Sequence, residues 1–250
     1  MESLVGHRIF LLTFVFAATG MKPVPPGAEG LPELLVSSST IATLRREWRL
    51  SAWNHFSISN KIQKTIDSNL DINAEGGFCN GICLIDSVKH DCIRDIELLI
   101  SHKADLNVRD NDGWSALLWA AYKDNTDIAK LLIENGANVN MSNNVGVSPL
   151  MLAARISHAD MAALLIEKGA SLVETHQERG YNALMWAVEA NNLDSATLLI
   201  EKGAGLNEMN KYGWTALMMA TKGNRCMTKF LIERGADLNV QSDYGVTALI

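Results

Sequence analysis

The sequence predicts an all-α solenoid: stacked helix–turn–helix units with hairpin-like loops between them. Two recurring phrases and their spacing carry that prediction. Gly113-Trp-Ser-Ala-Leu, Gly146-Val-Ser-Pro-Leu, Gly180-Tyr-Asn-Ala-Leu, Gly213-Trp-Thr-Ala-Leu and Gly245-Val-Thr-Ala-Leu start 33, 34, 33 and 32 residues apart. A second phrase keeps the same beat about 18 residues further on. Its copies are Leu131-Leu-Ile-Glu-Asn-Gly-Ala, Leu164-Leu-Ile-Glu-Lys-Gly-Ala, Leu198-Leu-Ile-Glu-Lys-Gly-Ala and Phe230-Leu-Ile-Glu-Arg-Gly-Ala. Self-similarity at this period is the mark of a repeated supersecondary unit. Each unit packs on its neighbours alone, and the stack offers a long surface rather than one deep pocket.

The N-terminal segment stands apart, and is expected to be partly disordered. Residues 1–20 hold His7 and Arg8, then an apolar run from Ile9 to Ala18, then Gly20. That has the form of a secretory signal. The run is shorter than the roughly 20 apolar residues a membrane span needs. Two other readings stand beside it: a buried or disordered leader, or a true start at Met21. Residues 21–40 form a Pro/Gly/Ser-rich linker. Residues 41–79 read as a degenerate N-terminal capping repeat: 41–57 supply its first helix, and Lys61 to Ile66 lie in its second. Full units then follow at 80–112, 113–145, 146–179, 180–212 and 213–244, with a truncated one at 245–250.

Within a unit, each residue type has a local reason. Ser115, Ser148, Asn182, Thr215 and Thr247 sit where the first helix begins, and all are good N-cap residues. Pro149 at the first helical position is harmless, since that amide has no intrahelical partner. A short apolar helix follows, then a polar turn at Asp124-Asn125, Ser157-His158, Asn191-Asn192 and Asn224. A second, amphipathic helix runs to the Leu-Leu-Ile trio. Gly136, Gly169, Gly203 and Gly235 end it, where a left-handed C-terminal cap favours glycine. A polar loop returns to the next unit.

These two phrases in fixed relation resemble the ankyrin-repeat family over roughly residues 60–250. The family's Gly-x-Thr-Pro-Leu-His-x-Ala-Ala is echoed in Gly113 to Ala121 and Gly146 to Ala154. Its Leu-Leu-Leu-x-x-Gly-Ala-Asp is echoed in Leu98 to Asp105 and Phe230 to Asp237. The resemblance implies paired antiparallel helices with loops projecting as fingers. Departures are visible. The family's His is replaced by apolar Leu118, Met151, Met185, Met218 and Ile250, so packing is expected to substitute for its hydrogen bonds. In the degenerate unit at 80–112, Lys103 stands where later units have Gly, at a cost of about 1 kcal/mol. The chain stops inside the first helix of a new unit. That leaves an apolar face partly covered and reads as a truncated product; a partner or second copy over the open end is the alternative.

Charge and cysteine usage bound the function. Residues 1–79 balance, with 7 Lys/Arg against 7 Asp/Glu, and 80–250 hold 15 against 21, giving the net of −6. A mildly acidic array argues against nucleic acid, which needs a basic face. The Arg45, Arg46, Arg49 cluster reads as a solvated helix face. Stacked helices lie about 8–10 Å apart. Cys226 is therefore roughly 40 Å from Cys79, Cys83 and Cys92, beyond the reach of a disulfide. At most one bridge forms, which leaves at least two thiols and favours an intracellular, cytoplasmic setting. The leader pulls toward the secretory pathway.

The resemblance places recognition on the concave face of the first helices and on the loop tips. The candidate protein-binding residues are Trp114, Tyr122, Lys123, Arg155, Arg179, Tyr181, Glu189, Tyr212, Trp214, Lys222 and Tyr244. Trp, Tyr and Arg dominate protein-recognition energetics. The competing reading packs Trp114 and Trp214 between fingers. Trp119 and Trp186 are expected in the core. No phosphate loop, dinucleotide fingerprint or nucleophile elbow occurs. Cys79, Cys83, His90 and Cys92 lie within 14 residues in a zinc-like arrangement, but Cys83 falls at a packed helix start, so no metal and no cofactor is expected. The sequence thus points to a non-catalytic scaffold that binds another protein, with no membrane span. The alternatives are the targeting array of a larger enzyme or channel truncated at residue 250, and a secreted effector.

Overall fold

The computed structural model describes residues 58–74, 79 and 82–249. The leader, the linker, the expected disorder and the helix expected within 41–57 lie outside the described residues. The first described helix is α1, residues 58–67, with Ile58 and Ile62 buried. Five pairs follow: α2 Cys83–Lys89 with α3 Ile93–Ser101, α4 Ala116–Tyr122 with α5 Thr126–Glu134, α6 Pro149–Ile156 with α7 Ala159–Glu167, α8 Ala183–Glu189 with α9 Leu193–Glu201, and α10 Ala216–Thr221 with α11 Arg225–Glu233. The first helices stack on one another, the second helices form a parallel row, and the first row is packed more closely. Small residues allow that approach, because Ala120, Ala153, Ala187 and Ala220 are all buried in it.

The helix starts follow the predicted chemistry. Ser115, Ser148, Asn182 and Thr215 each accept the amide of the third helical residue, at 3.3, 3.3, 2.9 and 3.3 Å. Asn125, Asn192 and Asn224 do the same for the second helices, at 3.1, 3.2 and 3.0 Å. Between paired helices the chain turns through left-handed residues, including Asp124 and Asn191 at φ 58° and 57°, a conformation Asp and Asn tolerate. At the far end, Gly136 (φ 100°) donates to Ile133 O and Ala137 to Leu132 O, both at 3.0 Å. That is a Schellman motif. Lys103 takes the same left-handed turn at φ 60° without glycine's freedom.

The loops form fingers held from repeat to repeat. Asp110, Asn143 and Asn210 each use Oδ1 to cap two amides across their own finger tip. In the finger that is one residue longer, His176 Nδ1 accepts the Arg179 amide at 3.4 Å. Adjacent fingers are tied by backbone bonds such as Gln177 N to Val145 O at 3.0 Å. An asparagine ladder joins the ends of the second helices. Asn73, Asn107, Asn140 and Asn207 each accept an amide of the next unit, at 2.7, 2.8, 2.8 and 2.8 Å. Val173 holds the equivalent position between Asn140 and Asn207; it is 66% exposed and offers no acceptor.

Leu118, Met151, Met185 and Met218 are all buried, so apolar packing does replace the histidine. The helix expected to follow Thr247 is not formed through residue 249, where the chain makes a turn. The described residues beyond Thr247 are fewer than one hydrogen-bonded helical turn requires. Cys79 and Cys83 are joined in a disulfide, Cα–Cα 5.0 Å, so two of the four zinc-type donors are not thiolates. Cys92 lies at the N-cap of α3, and burial, with Asp95 and Asp91 adding, pushes its thiol up to about 11.

Candidate functional site

Three candidate residues from three sequence positions meet in one groove. Trp114 follows the finger glycine of one unit, Tyr122 ends its first helix α4, and Arg155 lies near the end of α6 in the next. With Met151, Ile156 and Trp186 they line a cleft of about 180 Å³. The N-cap at Ser115 and the tip cap from Asp110 Oδ1 to the Trp114 amide (2.8 Å) fix the Trp114 backbone. The indole is half-buried. Tyr122 is 49% exposed, and Arg155 is exposed.

The aromatic rings form a linked cluster. Trp114 lies 4.7 Å from Trp119 at a tilt of 37°, and Tyr122 stands edge-on to both, at 5.8 and 5.9 Å. The edge-on contacts of Tyr122 are a favoured ring geometry. Trp119 is therefore half-buried, packed against the edge of the core rather than enclosed in it. Its Nε1 donates to Asp110 Oδ2 at 3.3 Å, and Lys89 Nζ lies over its ring at 4.6 Å. Those polar neighbours hold it at the rim. Trp186 is buried, as expected, yet it also walls the groove. Arg155 Cζ stands 4.9 Å over the Trp186 ring, and Trp186 Nε1 is buried with no hydrogen-bond partner.

The other candidates fall into smaller groups. Arg179 bonds Glu189 at 3.1 Å and lies 5.7 Å over the Tyr181 ring. Burial and Glu189 raise the Tyr181 phenol, against the opposing pull of Arg179. Tyr181 is edge-on to Trp186 at 6.1 Å, which connects this group to the groove wall. Lys222 Nζ covers the half-buried Trp214 at 4.0 Å. Tyr212 and Tyr244 are exposed on successive finger tips. Lys123 is not at the groove: it turns to the preceding unit, bonding Lys89 O at 2.7 Å and pairing with Asp91. The rings thus do pack between fingers and helices, yet leave one edge or face open.

The register is regular. Lys89, Tyr122, Arg155, Glu189 and Lys222 occupy one position of successive units, and Lys89 and Arg155 each cover a Trp of the following unit. Sequence reasoning missed Trp119, whose signal was the cation one repeat earlier. Among the described residues no helix is long and apolar enough to cross a membrane. A family model described as ankyrin repeats (3 copies) matches residues 83–176 and 172–242. A search of curated proteins finds no match to the chain.

Proposed function

From the chain's membership of the ankyrin-repeat family, we propose that it is a non-catalytic protein–protein interaction scaffold that uses the first-helix face and the finger tips. Arrays of this kind act as protein-interaction modules. The observation that supports the finer reading is the convergence of Trp114, Tyr122 and Arg155 on one groove walled by Trp186. Rigid aromatic rings plus an arginine are the residue types that concentrate binding energy at interfaces. The rings are already ordered by mutual packing, so little side-chain entropy remains to be lost on binding. Tyr181, with Arg179 and Glu189, extends the surface along the row, and Trp214 with Lys222 extends it further.

The test is a pull-down with the full chain against its Trp114→Ala, Tyr181→Ala, Trp214→Ala triple variant. The helical circular dichroism should be kept while partner recovery is lost. Equal recovery by both proteins contradicts the proposal.

A further inference from the structure

We propose that the occupant of the Trp114–Arg155–Trp186 groove is an acidic peptide segment of the partner protein. In it, one large apolar side chain enters the cleft and a neighbouring Asp or Glu carboxylate pairs with Arg155. This deepens the scaffold reading and rests on it.

Size comes first. The cleft is about 180 Å³, below the roughly 300–1,000 Å³ of small-molecule and cofactor pockets. It suits a single anchoring side chain. Its floor is apolar, with Met151 and Val147 both buried.

The polar chemistry of the walls is one-sided. Asn143 already uses Oδ1 to accept the Val145 and Val147 amides, at 3.1 and 3.0 Å, so what it has left is the donor amide. Trp186 Nε1 has no acceptor but is fully buried, so the donors offered to an occupant are those of Asn143 and the exposed Arg155. Arg155 is the one charged residue lining the cleft, and no carboxylate among the described residues lies within 4.0 Å of it. The tyrosine hydroxyl of Tyr122 is the one wall side chain that can still both donate and accept. A donor-rich wall with an unpaired guanidinium is complementary to an acceptor-rich, anionic ligand. A basic segment would meet only Arg155 and other donors.

Lys89, Lys123 and Arg179 do not share this vacancy. Lys89 faces Asp86 and Asp110, Lys123 faces Asp91, and Arg179 faces Glu189. Arg155 instead rests on an indole face, an interaction that a desolvated carboxylate partner outweighs. The chain's net charge of −6 opposes an acidic ligand at long range. That repulsion is screened beyond about 8 Å at physiological salt, whereas the Arg155 contact is direct.

The experiment uses the full chain and a displayed library of random twelve-residue peptides. The expected enrichment is Asp or Glu within two positions of Leu, Phe or Trp. Affinities of the enriched peptides, followed by tryptophan fluorescence, should fall at least roughly tenfold in Arg155→Gln. Arg155 is exposed, so that variant keeps the fold. Arg155→Lys should restore part of the loss, because the charge remains without the two-pronged geometry. Changing the peptide's acidic residue to Asn or Gln should cost as much as Arg155→Gln, and the two losses should not add. Peptides that need Trp114 but are uncharged or basic overturn this inference and leave the scaffold reading standing. Enriched peptides indifferent to Trp114→Ala and Arg155→Gln, or no enrichment at all, overturn the inference and remove the groove from the scaffold reading.

Discussion

Replacing Gly113 by Ala should destabilise the array far more than the same change at Gly136, although both have positive φ. Gly113 has φ 80° and Gly136 has φ 100°. Each alanine therefore incurs left-handed strain of about 1–2 kcal/mol. Part of that, about 0.4–1 kcal/mol, is offset because alanine restricts the unfolded chain. At Gly136 nothing lies within 4 Å of an added Cβ, so the net cost there is about 1 kcal/mol. At Gly113 the new Cβ would fall 2.3 Å from Asn144 Oδ1 and 2.6 Å from the Asn144 backbone nitrogen. The neighbour there is partly backbone, so two fingers must separate. Asn144 N to Asp112 O (3.3 Å), Asn144 Nδ2 to Asn111 O (3.0 Å) and Arg109 to Asn144 Oδ1 (3.0 Å) are then at risk. At about 1 kcal/mol each, their loss brings the total to roughly 3–4 kcal/mol. Urea unfolding followed by circular dichroism at 222 nm, with unfolding slopes compared, measures both variants. Equal destabilisation of the two, or a Gly113→Ala protein as stable as the parent, would refute the finger-contact reasoning.

The remaining predictions concern places where one repeat departs from its siblings. Val173→Asn should restore the missing rung of the asparagine ladder and raise stability by about 1 kcal/mol, read as a higher urea midpoint with unchanged slope; no gain means the gap is not an acceptor deficit. Lys103→Gly relieves a left-handed lysine at φ 60° and should stabilise by about 0.5–1 kcal/mol, by the same measurement. With iodoacetamide at pH 8, Cys226 should be alkylated long before Cys92, because Cys226 is exposed, whereas Cys92 is buried with its thiol at about 11 and so is thiolate in roughly one molecule per thousand. Peptide mapping by mass spectrometry reads the order, and comparable rates contradict it.

Much of the fold was legible because the unit is built from local signals. Ser148 announces a helix start by its own side chain, and Gly136 announces a helix end by its own φ. Each needs only its near neighbours in sequence. The degenerate unit was legible at Lys103 for the same reason. What was not legible depends on contacts between units. Trp119 and Trp186 occupy the same position six residues after their glycines, yet one is half-buried and the other buried. The difference comes from what each meets: Trp119 bonds Asp110 and sits under Lys89, whereas Trp186 is enclosed by Arg155, Tyr181 and His176. Lys123 looked like a face residue by register, but Asp91 in the preceding unit claims its charge. Spacing limited the cysteines to one bridge without selecting the pair, and Cys79–Cys83 is that pair among the described residues.

The face used for recognition is the central claim, and amide hydrogen exchange in a complex reads it directly. The full chain should be measured alone and with a protein recovered by the pull-down. Added protection concentrated over 113–122, 147–156 and 181–189, the segments that line or adjoin the groove, is the predicted result. Protection confined to the second helices α5, α7 and α9, with the groove segments unchanged, would contradict it.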